Sequence, residues 1–386
     1  MNIKLNYHEL VNVMGYLNSV LSDKVLEEKL KNIIFLIEEK KVSLVAFGPL
    51  VFSRVILEKA EVSGVEEGEE KTFQIKASGL NNMLSSFSNL YKTHVDEIEF
   101  SEEGIKIKAI VHEEANEGES KDFSNDIKYL FDSAKIGKHI MAEIHEEFPS
   151  EDVVSTECGE VLLYLDSLMP LLSSGTSGTL SNKIHFADDY VFVLGASLVS
   201  FYKNRLPSES FSNITLGSSS LVFLKKLCDT SDYICSIKTD KYLCVESGNI
   251  QAFIKYKPVN IKYNLYLDKF SKDIGVSVNR LYLKDILRRM GYSHNDCVMS
   301  IDDRGGMTMK NESIHQIIPL ESVKEETKGL TFKTSIPVLE KAILGSDNMF
   351  TDSVFIYMVK MAGGSYSIYL KDKTGSWLSS FQARKV

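Results

Sequence analysis

The sequence predicts an α+β chain of three tandem domains, each with two helices packed on antiparallel sheets. Two observations carry that expectation. One pattern recurs six times: a short strand, a polar capping residue, then an amphipathic helix. The copies are Lys4-Leu5-Asn6-Tyr7-His8-Glu9-Leu10, Phe73-Gln74-Ile75-Lys76-Ala77-Ser78-Gly79-Leu80, Leu163-Tyr164-Leu165-Asp166-Ser167-Leu168, Ile214-Thr215-Leu216-Gly217-Ser218, Leu281-Tyr282-Leu283-Lys284-Asp285-Ile286 and Phe332-Lys333-Thr334-Ser335-Ile336. After each copy come alternating apolar and polar runs, the signature of half-buried strands. The copies fall into pairs, and the pairs into three units. The expected domains are 1–136, 160–258 and 275–386, with connectors at 137–159 and 259–274.

Composition agrees. A chain of 386 residues exceeds one ordinary core. Hydrophobic content of 44% and charged content of 25% are those of a soluble globular protein. No apolar run approaches the roughly 18 residues needed to span a bilayer. Met1 to Leu5 alternates like a strand and lacks the apolar core of a signal peptide. A cytoplasmic protein with no membrane partner is expected. The five cysteines, an odd number without paired short spacing, argue against a disulfide framework and against a zinc site. The net charge of −9 alone opposes nucleic-acid binding. What decides is whether basic residues gather on one face.

In the first domain a helix carries Leu10, Val13, Met14, Leu17, Val20 and Leu21 at helical spacing. Strands are expected at 32–37, 42–47 and 51–57, then an acidic solvated loop over Glu58 to Glu70. A second helix, Ser78 to Leu90, buries Leu80, Met83, Leu84, Phe87 and Leu90. Its other face, Asn81, Asn82, Ser85, Ser86, Asn89 and then Lys92, has no acidic residue. Strands at 97–100 and 104–111 follow, a loop at 113–121, and a helical pattern at 125–147. The polar stretch from Phe148 to Gly159 reads as a connection.

In the second domain a helix is expected from near Asp166, with Pro170 in its first turn. Strands at 183–186, 190–194 and 197–202 precede a helix over 218–228 that exposes Lys225 and Lys226. Three more strands follow to Lys255, and Pro258 to Ser271 links onward. In the third domain Leu283, Ile286, Leu287 and Met290 form a buried stripe. The opposite face shows Lys284, Arg288 and Arg289, with Lys284 and Arg288 stacked one turn apart. The last helix begins at Ser335, with Pro337 in its first turn, and carries Lys341. The final strands are expected at 354–360, 366–370 and 377–384.

This arrangement resembles the DNA sliding clamps, polymerase processivity factors, and most of all the three-domain bacterial type. The stretch from Phe73 to Ile107 also resembles phage clamps. The resemblance implies six repeated units per chain and a pseudo-sixfold ring of two chains, with helices lining a hole for duplex DNA. A homodimer joined head to tail follows, with edge strands at 105–111 and 354–360 as candidates. The channel residues it implies are Lys92, Lys225, Lys226, Arg280, Lys284, Arg288, Arg289 and Lys341, with Asn81, Ser85 and Asn89 as short polar contacts. Such a ring holds phosphates without reading bases. The implied partners are double-stranded DNA, a DNA polymerase and an ATP-dependent clamp loader. A partner-binding pocket would take in Gly195, Leu198, Val199, Pro258, Val259, Phe381 and Val386. There the bacterial Thr-Asp-Gly-His-Arg-Leu run is replaced by Gly195-Ala196-Ser197-Leu198-Val199-Ser200.

Catalytic patterns are lacking, and neither an enzyme activity, a metal nor a cofactor is expected. His112-Glu113-Glu114 and His145-Glu146-Glu147 are half a zincin motif, but Asn116 and Pro149 stand where the second histidine belongs. There is no Walker loop, dinucleotide fingerprint or nucleophile elbow. The alternative is an enzyme or structural assembly protein built of repeated α+β domains, with its site unrecognised.

Overall fold

The strand–helix boundary repeats because each first strand hands its chain directly to a helix. The first module is β1 (Asn2–Asn6), α1 (Tyr7–Leu21), β2 (Asn32–Glu38), β3 (Lys41–Phe47) and β4 (Val51–Leu57), with β5 (Glu61–Ser63) after it. The second is β6 (Lys71–Lys76), α2 (Ala77–Ser88), β7 (Thr93–Ser101), β8 (Gly104–Val111) and β9 (Lys121–Ile127), followed by α3 (Lys138–Ile144). The third is β10 (Val154–Glu157), α4 (Cys158–Leu168), β11 (Lys183–Phe186), β12 (Tyr190–Leu194) and β13 (Leu198–Lys203), then the short α5 (Ser208–Phe211). The fourth is β14 (Ile214–Gly217), α6 (Ser218–Asp229), β15 (Tyr233–Lys238), β16 (Tyr242–Ser247) and β17 (Ile250–Lys255), then α7 (Asn264–Leu267). The fifth is β18 (Val276–Asn279), α8 (Arg280–Gly291), β19 (Asp296–Ile301), β20 (Met307–Lys310) and β21 (His315–Ile318), then β22 (Leu320–Val323). The sixth is β23 (Thr331–Ser335), α9 (Ile336–Leu344), β24 (Ser353–Lys360), β25 (Ser365–Lys371) and β26 (Trp377–Lys385). The computed structural model describes the whole chain except residues 22–30, 89–92, 102–103, 112–120, 128–137, 173–181, 196–197, 271–274, 292–294, 303, 305, 324–326, 345–351, 362–364 and 386.

Capping explains where helices start. The Asn6 side chain accepts the Glu9 backbone N–H at 3.0 Å, and Asn279 accepts that of Tyr282 at 3.0 Å. In both modules the last residue of the strand is the helix cap. In α1 the stripe Leu10, Val13, Met14, Leu17, Val20 and Leu21 is buried, as its spacing requires.

Modules are joined in pairs by exchange of first strands. β1 pairs β7 of the second module, while β6 pairs β2 of the first. β10 pairs β15 and β14 pairs β11, and likewise β18 pairs β24 and β23 pairs β19. All are antiparallel. A second joint links neighbouring pairs through third strands: β4 with β17, and β13 with β26. The outcome is a five-stranded sheet β5-β1-β7-β8-β9, an eight-stranded sheet β10-β15-β16-β17-β4-β3-β2-β6, and a thirteen-stranded sheet. The chain divides into two units, Met1–Cys158 with Val222–Tyr256 and Gly159–Leu221 with Lys257–Val386. The first holds the two smaller sheets and the second the largest.

Both third-strand joints are packed from a connector. In the first unit Phe52 and Phe253 face each other across β4–β17 and stack at 4.4 Å, with Tyr242 and Phe148 edge-on. Ile140 and Ile144 lie on Ile34, Leu36 and Val45. Arg54 donates to Gln251 Oε1 from Nη2 at 2.6 Å and reaches the Ile144 carbonyl at 3.5 Å, while Lys255 pairs with Glu143 at 3.0 Å. In the second unit the adjacent Phe201 and Tyr202 point to opposite faces, as strand neighbours must. Tyr202 meets Tyr164 of α4, and Phe201 meets Phe192, Phe270 and Tyr266. Residues of the 258–270 arm, Val259, Ile261, Tyr263, Leu267 and Phe270, complete that aromatic cluster.

Several expectations are corrected. The third copy of the repeat lies within α4, which starts at Cys158 rather than near Asp166. Val161, Tyr164, Leu165 and Leu168 are buried at helical spacing, and Pro170 sits in a 3-10 turn beyond the helix. In the fifth module the strand is Val276–Asn279, not Leu281 to Leu283, and Leu281 is 57% exposed on α8. Residues 125–147 are not one helix: β9 covers their start and α3 is short. The candidate edges at 105–111 and 354–360 are interior, since β8 lies between β7 and β9 and β24 between β18 and β25. The 258–271 link contains α7.

His185 is buried in the core of the second unit. Its Nδ1 lies 2.9 Å from Thr215 Oγ1 and its ring stacks on Phe192 at 4.9 Å. Burial, helped by Lys183, lowers its pKa to about 4. The unfolded chain, with an ordinary histidine near 6.5, takes up this proton first as pH falls. The contribution to stability is therefore intact above about pH 6.5 and is lost between there and about pH 4. Urea melts at pH 7.5 and pH 5 should differ by about 2 kcal/mol more in the native chain than in His185→Gln. An equal difference in both would remove His185 as the cause.

Candidate nucleic-acid interface

The cationic candidates lie on helices, each fixed by a buried stripe on the opposite side. On α8, Leu283, Ile286, Leu287 and Met290 are buried, leaving Lys284 half-buried and Arg288 and Arg289 exposed. Arg289 is not a free charge: its Nη2 stands 2.9 Å from Asp285 Oδ2 one turn back. Arg280 opens the helix, and its backbone N–H donates to the Asp352 carbonyl at 2.8 Å. Lys341 is exposed on α9, opposite the buried Ile336, Leu339, Ala342 and Ile343.

Lys225 and Lys226 are half-buried on α6. The Lys226 ammonium lies 5.9 Å from the centre of the Tyr16 ring on α1, a cation–π distance. A Cβ at Gly15 would stand 3.4 Å from that ammonium, so the glycine leaves the lysine its path. The Tyr16 hydroxyl donates to Thr230 Oγ1 at 2.7 Å, a second tie between α1 and the end of α6. On α2, Asn81 exchanges amide hydrogen bonds with Asn18 of α1, both at 2.9 Å. Ser85 donates back to the Asn81 carbonyl. Asn81 is thus a helix-to-helix fastener. Its partner Asn18, with Tyr16 and Thr230, had no sequence signal beyond a place on a polar face. Lys92 and Asn89 fall outside the described residues.

The acid-free face holds for α2 but not throughout. α4 exposes Glu160 and Asp166 and carries no basic residue. The misplaced start of this helix hid that face from the sequence reading.

The candidate partner residues gather in the second unit. The Gly195 N–H donates to the Leu198 carbonyl at 2.9 Å, and a Cβ on Gly195 would come within 2.8 Å of that oxygen, so only glycine fits. Leu198 stands opposite Phe381 across β13–β26, both buried. Val199 and Val259 pack on the aromatic cluster, the Val259 N–H held by Asn213 Oδ1 at 2.9 Å, and Pro258 is exposed. Val386 lies outside the described residues. Leu198 and Phe381 are therefore core, while Val199, Val259 and Pro258 sit where the arm meets the sheet.

The five cysteines are free, and burial raises the thiols of Cys158, Cys228, Cys244 and Cys297, the last two to about 12. Among the described residues no group of three or more His, Cys, Asp or Glu is placed to hold a metal ion, and no helix is long and apolar enough to cross a membrane.

Exchanged first strands, joined third strands and paired helices define the α+β fold of the DNA sliding clamps. The likeness is to the beta subunit of bacterial DNA polymerase III. The DNA polymerase sliding clamp of Caulobacter crescentus is 11% identical with a TM-score of 0.70, and the DNA polymerase III subunit beta of Pseudomonas aeruginosa 13% identical with 0.70, each over the whole of both chains. That of Borrelia burgdorferi is 14% identical, with a TM-score of 0.67, over all of this chain and 98% of the other. No protein-family model and no curated protein matches the sequence.

Two substitutions check these placements. Asn81→Ala should cost about 1 kcal/mol in urea unfolding, and adding Asn18→Ala should cost almost nothing more, because the pair acts as one. Phe381→Ala should cost about 3–5 kcal/mol, as expected of a core aromatic rather than a surface contact.

Proposed function

We propose that the chain is a sliding clamp: two copies close a ring around duplex DNA and hold the replicative DNA polymerase to it, without catalysis of their own. One observation carries this. Of the six third strands, β4 joins β17 and β13 joins β26, while β9 and β21 pair no third strand among the described residues. β9 belongs to the second module of a pair, as β17 and β26 do; β21 belongs to the first, as β4 and β13 do. A second chain, head to tail, would supply the missing β21–β9 joint twice and leave no third strand open. Ile317 on β21 is 67% exposed, an apolar side chain on an open edge, which fits a surface awaiting a partner.

Phosphate contact falls to α6, α8 and α9, where Lys225, Lys226, Lys284, Arg288 and Lys341 are carried. Lys226 is partly occupied by Tyr16 and Arg289 by Asp285; Lys284 and Arg288 stand one turn apart on α8, and Lys341 is exposed on α9. Loading a closed ring would call for an ATP-dependent loader, since this chain carries no phosphate-binding loop. Val199, Pro258 and Val259 are the polymerase-side candidates.

Light scattering over a concentration series should give the mass of two chains, and Ile317→Asp should give the mass of one with unchanged circular dichroism. A native chain that stays single at every concentration counts against the ring. Lys284→Glu with Arg288→Glu should leave the chain folded by circular dichroism while lowering the slope of log affinity against log salt for duplex DNA by about 2. An unchanged slope would remove α8 from the interface.

A further inference from the structure

Five of the module helices share one register, and α8 departs from the other four at its first turn. In α1, α2, α4, α8 and α9 the fourth, seventh and eighth residues from the helix start are all buried. The second residue therefore falls on the exposed side of each. It is His8, Ser78 and Gly159 in α1, α2 and α4, polar or small in every case. In α9 it is Pro337, a residue suited to a first turn. In α8 it is Leu281, 57% exposed, and Tyr282 follows it, 38% exposed. That turn is fixed rather than frayed: the Tyr282 N–H donates to Asn279 Oδ1 at 3.0 Å, and the Arg280 N–H to the Asp352 carbonyl at 2.8 Å. Leu281, Lys284 and Arg288, at i, i+3 and i+7, lie along one side of the helix. The helix carries Arg280, Lys284, Arg288 and Arg289 against a single acid, Asp285, whose carboxylate stands 2.9 Å from Arg289.

Phosphate contact accounts for the cations and leaves the leucine and the tyrosine unexplained. A surface that only follows a duplex backbone meets phosphates and sugars, while the base faces stay stacked on one another inside. In a single strand those faces are open. An exposed aromatic ring beside cations is the arrangement that holds them, the ring stacking on a base and the cations following the backbone. The basic balance of α8 favours such a polyanion over an apolar protein segment. We propose that Leu281, Tyr282, Lys284 and Arg288 form a binding site for unpaired nucleotides: Tyr282 by stacking, Leu281 by apolar contact, and the two cations through phosphates. The inference rests on the reading of α8 as a nucleic-acid interface and adds to it the kind of nucleic acid that its first turn selects.

The probe is a fluorescein-labelled oligothymidylate, titrated by anisotropy against the full chain beside an abasic oligomer of equal length, which keeps the phosphates and lacks the bases. The thymidylate should bind about tenfold more tightly. Leu281→Ala with Tyr282→Ala should bring it down to the affinity of the abasic oligomer. Both side chains are exposed and alanine favours a helix, so this variant should stay folded by circular dichroism. Tyr282→Phe, which keeps the ring, should retain the preference. Equal affinity of the native chain for the two oligomers overturns the proposal, as does a preference that survives the double substitution. Displacement of the thymidylate by hexaglutamate as readily as by its own unlabelled copy also overturns it, since any polyanion would then suffice. Absence of binding to either oligomer does the same. The salt slope for duplex DNA and the mass in solution are read separately, so failure here and failure of the clamp reading are told apart.

Discussion

The last strand of each module has a bare edge unless another module covers it. Backbone N–H and C=O groups on such an edge must find partners or face water, and a bare edge invites pairing with whatever strand arrives. This chain meets that constraint twice internally, through β4 with β17 and β13 with β26. The rest of the architecture follows from it. The aromatic residues concentrate at those joints, with Phe52 against Phe253 in one and Phe201 opposite Leu378 in the other. Each joint also has a connector laid over one face, as if the link between modules doubled as the cover of the seam it spans.

The two covers differ in kind. Over the first joint the contact is partly electrostatic: Arg54 and Lys255 reach residues of α3, and burial lowers the Arg54 pKa against the pull of Glu38, Glu147 and Glu246. Over the second it is almost wholly aromatic. Charged clasps loosen with salt and aromatic ones do not, so the two joints should answer differently to ionic strength.

Much of this was legible in the sequence where a strand ends in a residue suited to begin a helix. Asn6 before Tyr7 is such a place, and the first, second, fourth and sixth modules were read in register. The third and fifth were not, because Leu163-Tyr164-Leu165 and Leu281-Tyr282-Leu283 imitate the alternation of a strand inside a helix. The true strands there, Val154–Glu157 and Val276–Asn279, are short and partly polar. The cap at Asn279 was the available signal. β9, with Asp122, Ser124 and Asp126 along it, gives little alternation, so β8 looked like an edge. The candidate site was legible as charge on helices but not as pairing. Nothing local links Asn18 to Asn81, or Tyr16 to Lys226 and Thr230, because those contacts depend on how helices far apart in the chain come together.

The exchange of first strands between paired modules has a consequence for how such a chain could arise. A module alone would offer its first strand and lack the one it receives, and two copies would satisfy each other by swapping. Each pair within this chain is such a swapped dimer with its halves spliced end to end. Two exchanged ladders tie the modules of each pair, whereas the joint between neighbouring pairs rests on a single ladder.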